Sequence, residues 1–191
     1  MKKTASTLVA ALAAIAAFAL AVSAEEGGQM PAEAEGQMHP PSYVGSPELE
    51  RMKGLAGSWV VTEGMPGGKG AEGEGEMMVG TEYRVAANGS VVVERNFPGT
   101  PKEMISVYHD RGGKLSMTHY CAMGNQPQMT LTGSEEGVLT FEMVEGSIES
   151  EEMPHMNSLS IAVDGDEMSQ SWTMFDGSGQ KTHTMTFRRA R

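Results

Sequence analysis

The stretch 107–129, VYHDRGGKLSMTHYCAMGNQPQM, carries the period of an antiparallel sheet. Successive side chains of a strand point to opposite faces, so from Lys114 onward Leu115, Met117, His119 and Cys121 share one side and Ser116, Thr118 and Tyr120 the other. The run before it, Val107-Tyr108-His109, reaches this strand through Arg111-Gly112-Gly113, a hairpin signal in which glycine supplies backbone angles closed to other residues. A hairpin with one dry face and one wet face is expected. The stretch also holds two of the five histidines, two of the four tyrosines and the only cysteine, which makes it the first place to look for chemistry.

The same pattern extends in both directions. Short runs rich in Val, Thr, Tyr, Phe and Met predict strands at about 57–63, 73–86, 90–97, 103–110, 114–122, 127–133, 137–144, 157–163, 167–175 and 180–189. Turn pairs separate many of them: Asn88-Gly89, Glu136-Gly137, Asp164-Gly165 and Asp176-Gly177. Consecutive up-and-down strands in such number leave raw edges unless the sheet closes. The expected fold class is therefore all-β, an antiparallel up-and-down barrel of about ten strands. In its last strand His183 shares a face with Met185, Phe187 and Arg189. A short helix precedes the sheet: Ser46 caps it, Pro47 takes its first position, and Leu49, Met52 and Leu55 form its apolar side.

Residues 1–24 have the parts of a secretory signal, with Lys2 and Lys3, an apolar run from Leu8 to Leu20, and small residues before a cleavage point near Ala24. Export to a periplasmic or extracellular setting is expected, with no stable membrane insertion. Residues 25–45, poor in groups to bury and rich in Glu, Gly, Pro and Gln, are expected to be a disordered acidic linker, leaving 46–191 as the barrel domain. A net charge of −11 argues against nucleic acid, whose phosphates require clustered Lys and Arg. A single cysteine excludes an internal disulfide. Methionine, at 17 residues, is the compositional outlier, and its flexible thioether suits an adaptable apolar cavity or, in other settings, a soft metal.

Leu55-Ala56-Gly57-Ser58-Trp59, a short helix followed by Gly-x-Trp at the first strand, resembles the start of lipocalins and related calycin barrels. The resemblance implies that Trp59 stoppers one end and that a basic residue of the final strand, Arg188 or Arg189, packs across it. Val107-Tyr108-His109, Thr118-His119-Tyr120-Cys121-Ala122 and Gly124-Asn125-Gln126-Pro127 are similar to a group of exported bacterial proteins described as lipocalin-like. More distantly, the strand count and His183 resemble nitrobindin, which holds ferric haem through one histidine. Val60-Val61-Thr62-Glu63-Gly64 departs from the Gly-rich continuation of that family.

Binding of a small, largely apolar molecule inside the barrel is the leading functional expectation, with Tyr108, His109, His119, Cys121, Asn125, Gln126 and His155 as ligand-binding candidates. Such pockets combine apolar walls with a few fixed polar groups. The first alternative is haem or copper, held by His183 or by His119, Cys121 and Met123, with Met153, His155 and Met156 as further donors. The second is a thiol-dependent enzyme in which Cys121 attacks, His119 serves as base and Asn125 orients the imidazole. Binding is expected over catalysis, because nothing in the sequence supplies an oxyanion site.

Overall fold

The computed structural model describes residues 41–65, 78–135 and 137–191. One helix, α1 (Pro47–Lys53), is followed by ten strands: β1 (Gly57–Glu63), β2 (Val79–Ala86), β3 (Val91–Asn96), β4 (Met104–Arg111), β5 (Lys114–Tyr120), β6 (Gln128–Gly133), β7 (Val138–Met143), β8 (His155–Asp164), β9 (Glu167–Phe175) and β10 (Gln180–Arg189). They form a closed antiparallel barrel in which sequence neighbours pair throughout and β1 also pairs with β10. The expected fold class is what the chain adopts. The first part of the strand expected at 73–86 falls on residues outside those described, and the observed strand begins at Val79. Residues 41–45, assigned by composition to the linker, are tied to the barrel instead: Tyr43 donates its backbone N–H to Asn88 O at 2.8 Å, and the Asn88 amide donates to Pro41 O at 3.0 Å.

Alternation produces the core. Leu115, Met117 and His119 are buried on β5 while Ser116 and Thr118 are half-buried and Tyr120 is exposed. The hairpin turn holds Gly112 at φ 61° and Gly113 at φ 78°, a region that other residues enter only at a cost.

One end of the barrel is sealed by α1, which packs over β2, β3 and β4. The Ser46 hydroxyl accepts from the Leu49 N–H at 3.1 Å and donates to Asp110 Oδ1 at 2.7 Å, so the cap also anchors the helix to β4. Leu49 and Met52 are fully buried, each contributing about 1.5–3 kcal/mol by leaving water. Trp59 lies beneath them with no exposed surface, its indole N–H donating to Leu55 O at 2.9 Å. Arg189 fulfils the expected closing role: its guanidinium lies 4.3 Å from the Trp59 ring and donates to Ala56 O at 2.9 Å and Gly54 O at 3.0 Å. Arg188, the other candidate, is exposed one position along, because alternation turns it to the outer face.

Candidate functional site

The barrel interior is crossed by polar side chains. Glu94 on β3 is fully buried, and its Oε1 accepts from Thr81 at 3.0 Å, Tyr83 at 2.8 Å and Gln170 Nε2 at 2.7 Å, while Oε2 accepts from Tyr108 at 2.7 Å. Gln170 belongs to β9, four strands around the barrel from β3, so its bond to Glu94 spans the lumen. The Gln170 carbonyl in turn accepts from the Trp172 indole at 3.1 Å. Burial pushes the Tyr83 and Tyr108 hydroxyls well above their ordinary range, and the Glu94 charge pushes them the same way, so both remain donors.

A second bridge lies beside the first. His119 on β5 meets Trp172 on β9 with ring centroids 5.5 Å apart, and its Nδ1 is 3.0 Å from the Ser106 hydroxyl of β4. Desolvation lowers the imidazole to about 4, so at neutral pH it is an uncharged hydrogen-bonding group. Neighbouring on β3, Asn96 is buried with its amide nitrogen lacking a partner, at a cost of about 1–3 kcal/mol.

Beyond these bridges, at the end opposite α1, the β5/β6 and β7/β8 loops meet. Asn125 joins them by donating Nδ2 to Pro154 O at 2.7 Å. Between the loops is a pocket of about 220 Å³, lined by Met123, Gly124, Asn125, Gln126, Ser147, Ile148, Glu149, Ser150 and Met153. Thioethers and an isoleucine supply the apolar wall, and amides, hydroxyls and one carboxylate the polar one. Next to it, His155 is buried, its Nδ1 2.6 Å from Met153 O and its ring 5.4 Å from that of Phe175.

The expected ligand-binding residues therefore separate into groups. Asn125 and Gln126 line the mouth pocket, and His155 stands close by. His119 faces the interior as alternation implies. Tyr108 faces inward too, but its hydroxyl is committed to Glu94 and no solvent reaches it. His109 is displaced from the set entirely: it precedes the turn at the α1 end and points away from the interior, one position out of phase with Tyr108. The alignment of His119, Cys121 and Met123 on one strand side does not form, because β5 ends at Tyr120. Cys121 to Gly124 make a turn closed by Gly124 N–H to Cys121 O at 2.9 Å, leaving Cys121 half-buried and Met123 exposed. His183 shares the phase of Met185 but is exposed, since β1 ends opposite Thr186 and leaves that part of β10 without a β1 neighbour. Among the described residues no group of three or more His, Cys, Asp or Glu side chains is arranged to hold a metal ion.

Glu94, Gln170 and Ser106, which organise the interior, were not singled out from the sequence. The signal was there: Glu94 has the phase of Val92, and Gln170 that of Met168 and Trp172. Ile148 and Glu149 carried none, because their loop becomes a pocket wall only through a neighbour remote in sequence. Comparison with protein-family models and with curated proteins returns no match for this chain.

Proposed function

We propose that this protein is an exported, lipocalin-like barrel that binds a small, largely apolar molecule at the mouth opposite α1 and performs no catalysis. The observation that carries the reading is the 220 Å³ pocket in which Met123, Ile148 and Met153 face the amides of Asn125 and Gln126. Apolar walls with a few positioned polar groups are the usual composition of small-molecule sites. A thiol-dependent reaction gains no support from the geometry, since the His119 imidazole is engaged with Ser106 and Trp172 while Cys121 sits in the turn beyond the strand.

The test is a titration of the full chain, carrying ¹³C-methyl methionine, with uncharged 1-hexanol. The Met123 and Met153 methyl signals are expected to shift saturably while those of buried Met117 and Met129 stay in place. Ile148→Trp, which fills the pocket, is expected to abolish the shifts. Binding of hemin with a new Soret band, lost in His183→Ala or His119→Ala, would overturn the reading in favour of a haem carrier.

A further inference from the structure

We infer that the loop between β3 and β4, residues 97–103, is a gate at the end of the lumen opposite α1, with Phe97 as its latch. Behind it the Asn96 amide receives the oxygen of a small uncharged acceptor, a ketone or an ester in chemical class. This site is separate from the pocket between the β5/β6 and β7/β8 loops and does not depend on it.

Asn96 and Phe97, adjacent in the chain, each hold a cost in the closed barrel. Asn96 is 1% exposed, and its Nδ2 has no hydrogen-bond partner among the described residues. It ends the inward phase of β3 two positions beyond Glu94, about 7 Å nearer the mouth than the bridge to Gln170. A ligand at Asn96 therefore leaves that bridge intact. Met104 lies directly opposite on β4, and Ser106, two residues further on, is already engaged with His119 Nδ1 at 3.0 Å. An amide nitrogen only donates, so the group that completes Asn96 is an acceptor. The apolar side chains of Met104 and Phe97 beside it disfavour a charged one, which loses its hydration on entry.

The amide nitrogen is reached only when the chain above it moves, and that chain is strained. Phe97 has φ 52°, a left-handed value unfavourable for a bulky side chain, and it precedes Pro98, whose ring pushes its predecessor toward extended backbone. Its side chain packs half-buried against the core. Bonds on both sides impose this conformation. The Phe97 N–H donates to Gly80 O at 2.8 Å, and its carbonyl accepts from the Thr100 N–H at 3.2 Å and the Thr100 hydroxyl at 2.8 Å. Glu103 staples the far end of the loop to β3: its carboxylate accepts from the Gly99 N–H at 2.7 Å and from Arg95 Nε and Nη2 at 3.0 and 2.9 Å. Backbone strain collects at clamps and switches, where opening releases it. An open loop lets Phe97 relax and gives Asn96 a partner, so both costs fall in one movement.

The experiment titrates the full chain, carrying ¹³C-methyl methionine, with 2-hexanone, which accepts hydrogen bonds and donates none. The Met104 methyl reports the layer of Asn96, while Met123 and Met153 report the mouth pocket. Met104 is expected to shift saturably. Asn96→Leu is expected to abolish that shift while leaving the urea midpoint unchanged or higher, since it also removes an unpaired buried group. Glu103→Ala, at the partly exposed staple, raises the open population and is expected to tighten 2-hexanone about threefold, within the range of an exposed ion pair. Phe97→Gly suits the left-handed backbone and removes the latch, so in that background Glu103→Ala is expected to add nothing. The inference fails if Met104 does not respond, if Asn96→Leu keeps the response, or if Glu103→Ala leaves the parent's affinity unchanged. Shifts at Met123 and Met153 without Met104 overturn the gate and leave the mouth pocket standing.

Discussion

Glu94 is the most informative residue to change. Its two oxygens collect four hydrogen bonds, from Thr81, Tyr83, Tyr108 and Gln170, and none of these donors is a Lys or Arg. Glu94→Ala removes every one of these acceptors and opens a cavity. Each stranded buried donor costs about 1–3 kcal/mol, and Gln170 keeps the Tyr83 oxygen as a partner at 2.6 Å, so partial rearrangement is available. A loss of about 4 kcal/mol follows, a large share of the 5–15 kcal/mol typical of a domain. Glu94→Gln preserves shape and one carbonyl oxygen, which can serve the three donors now on Oε1. Only Tyr108 then faces an N–H where it had an acceptor, and the expected loss is about 2 kcal/mol. Urea unfolding followed by tryptophan fluorescence, with Trp172 one hydrogen bond from the network through Gln170, measures both. The rival expectation is that a carboxylate buried without a cation destabilises its host, in which case an uncharged replacement gains stability. A Glu94→Gln variant as stable as the parent, or more so, would refute the view that four dipolar donors outweigh the desolvation of this charge.

Acid is expected to weaken the fold through His119. Its folded value of about 4 lies below the ordinary 6.5, so between these limits the unfolded chain binds a proton that the native state refuses; stability is complete above about pH 6.5 and falls by up to about 3 kcal/mol toward pH 4. Urea midpoints at pH 7 and pH 5 for the parent and for His119→Gln check this, the variant having the shallower dependence. Alkali acts through Tyr83 and Tyr108, whose raised values make the folded state hold protons that the unfolded chain releases; their contribution is intact below about pH 10 and declines above it. Absorbance at an alkaline pH is expected to show two of the four tyrosines ionising only as the protein unfolds. Arg189→Ala is expected to cost about 2–3 kcal/mol and Arg189→Lys about 1–2 kcal/mol, because lysine keeps a cation near Trp59 but lacks the planar fork whose two nitrogens meet Ala56 O and Gly54 O separately; thermal melts of the two variants measure the difference.

Period and turn chemistry made the barrel readable. The expected spans 57–63, 167–175 and 180–189 coincide with β1, β9 and β10, where a glycine or an Asp-Gly pair marks an end. Closure by Trp59 and a basic residue was readable to within one position, and the choice of Arg189 over Arg188 came from the strand phase at the β1–β10 seam. Sites were less legible, for two reasons. A histidine on an inward phase says nothing of what lies across the lumen, and His119 proves to be held by Trp172, 53 positions later in the chain. Alternation also ceases where a strand ends, so extending it past Tyr120 aligned Cys121 and Met123 with His119 when a turn separates them.

The two bridges decide how deep a ligand can sit. Glu94 to Gln170 and His119 to Trp172 each join strands four places apart around the barrel, so both cut across the lumen. A molecule seated centrally would have to break the first bridge and leave the Glu94 carboxylate, the Gln170 amide and the Tyr83 hydroxyl each short of a partner, a cost set by the same 1–3 kcal/mol per group that governs the Glu94 variants. A short apolar chain gains about 0.8 kcal/mol per methylene buried, so several methylenes would be needed merely to break even. Binding at the mouth involves no such loss, since the Asn125 to Pro154 bond that joins the two loops already exists without a ligand. The network that crosses the lumen would thus keep a ligand of the proposed kind small and near the surface.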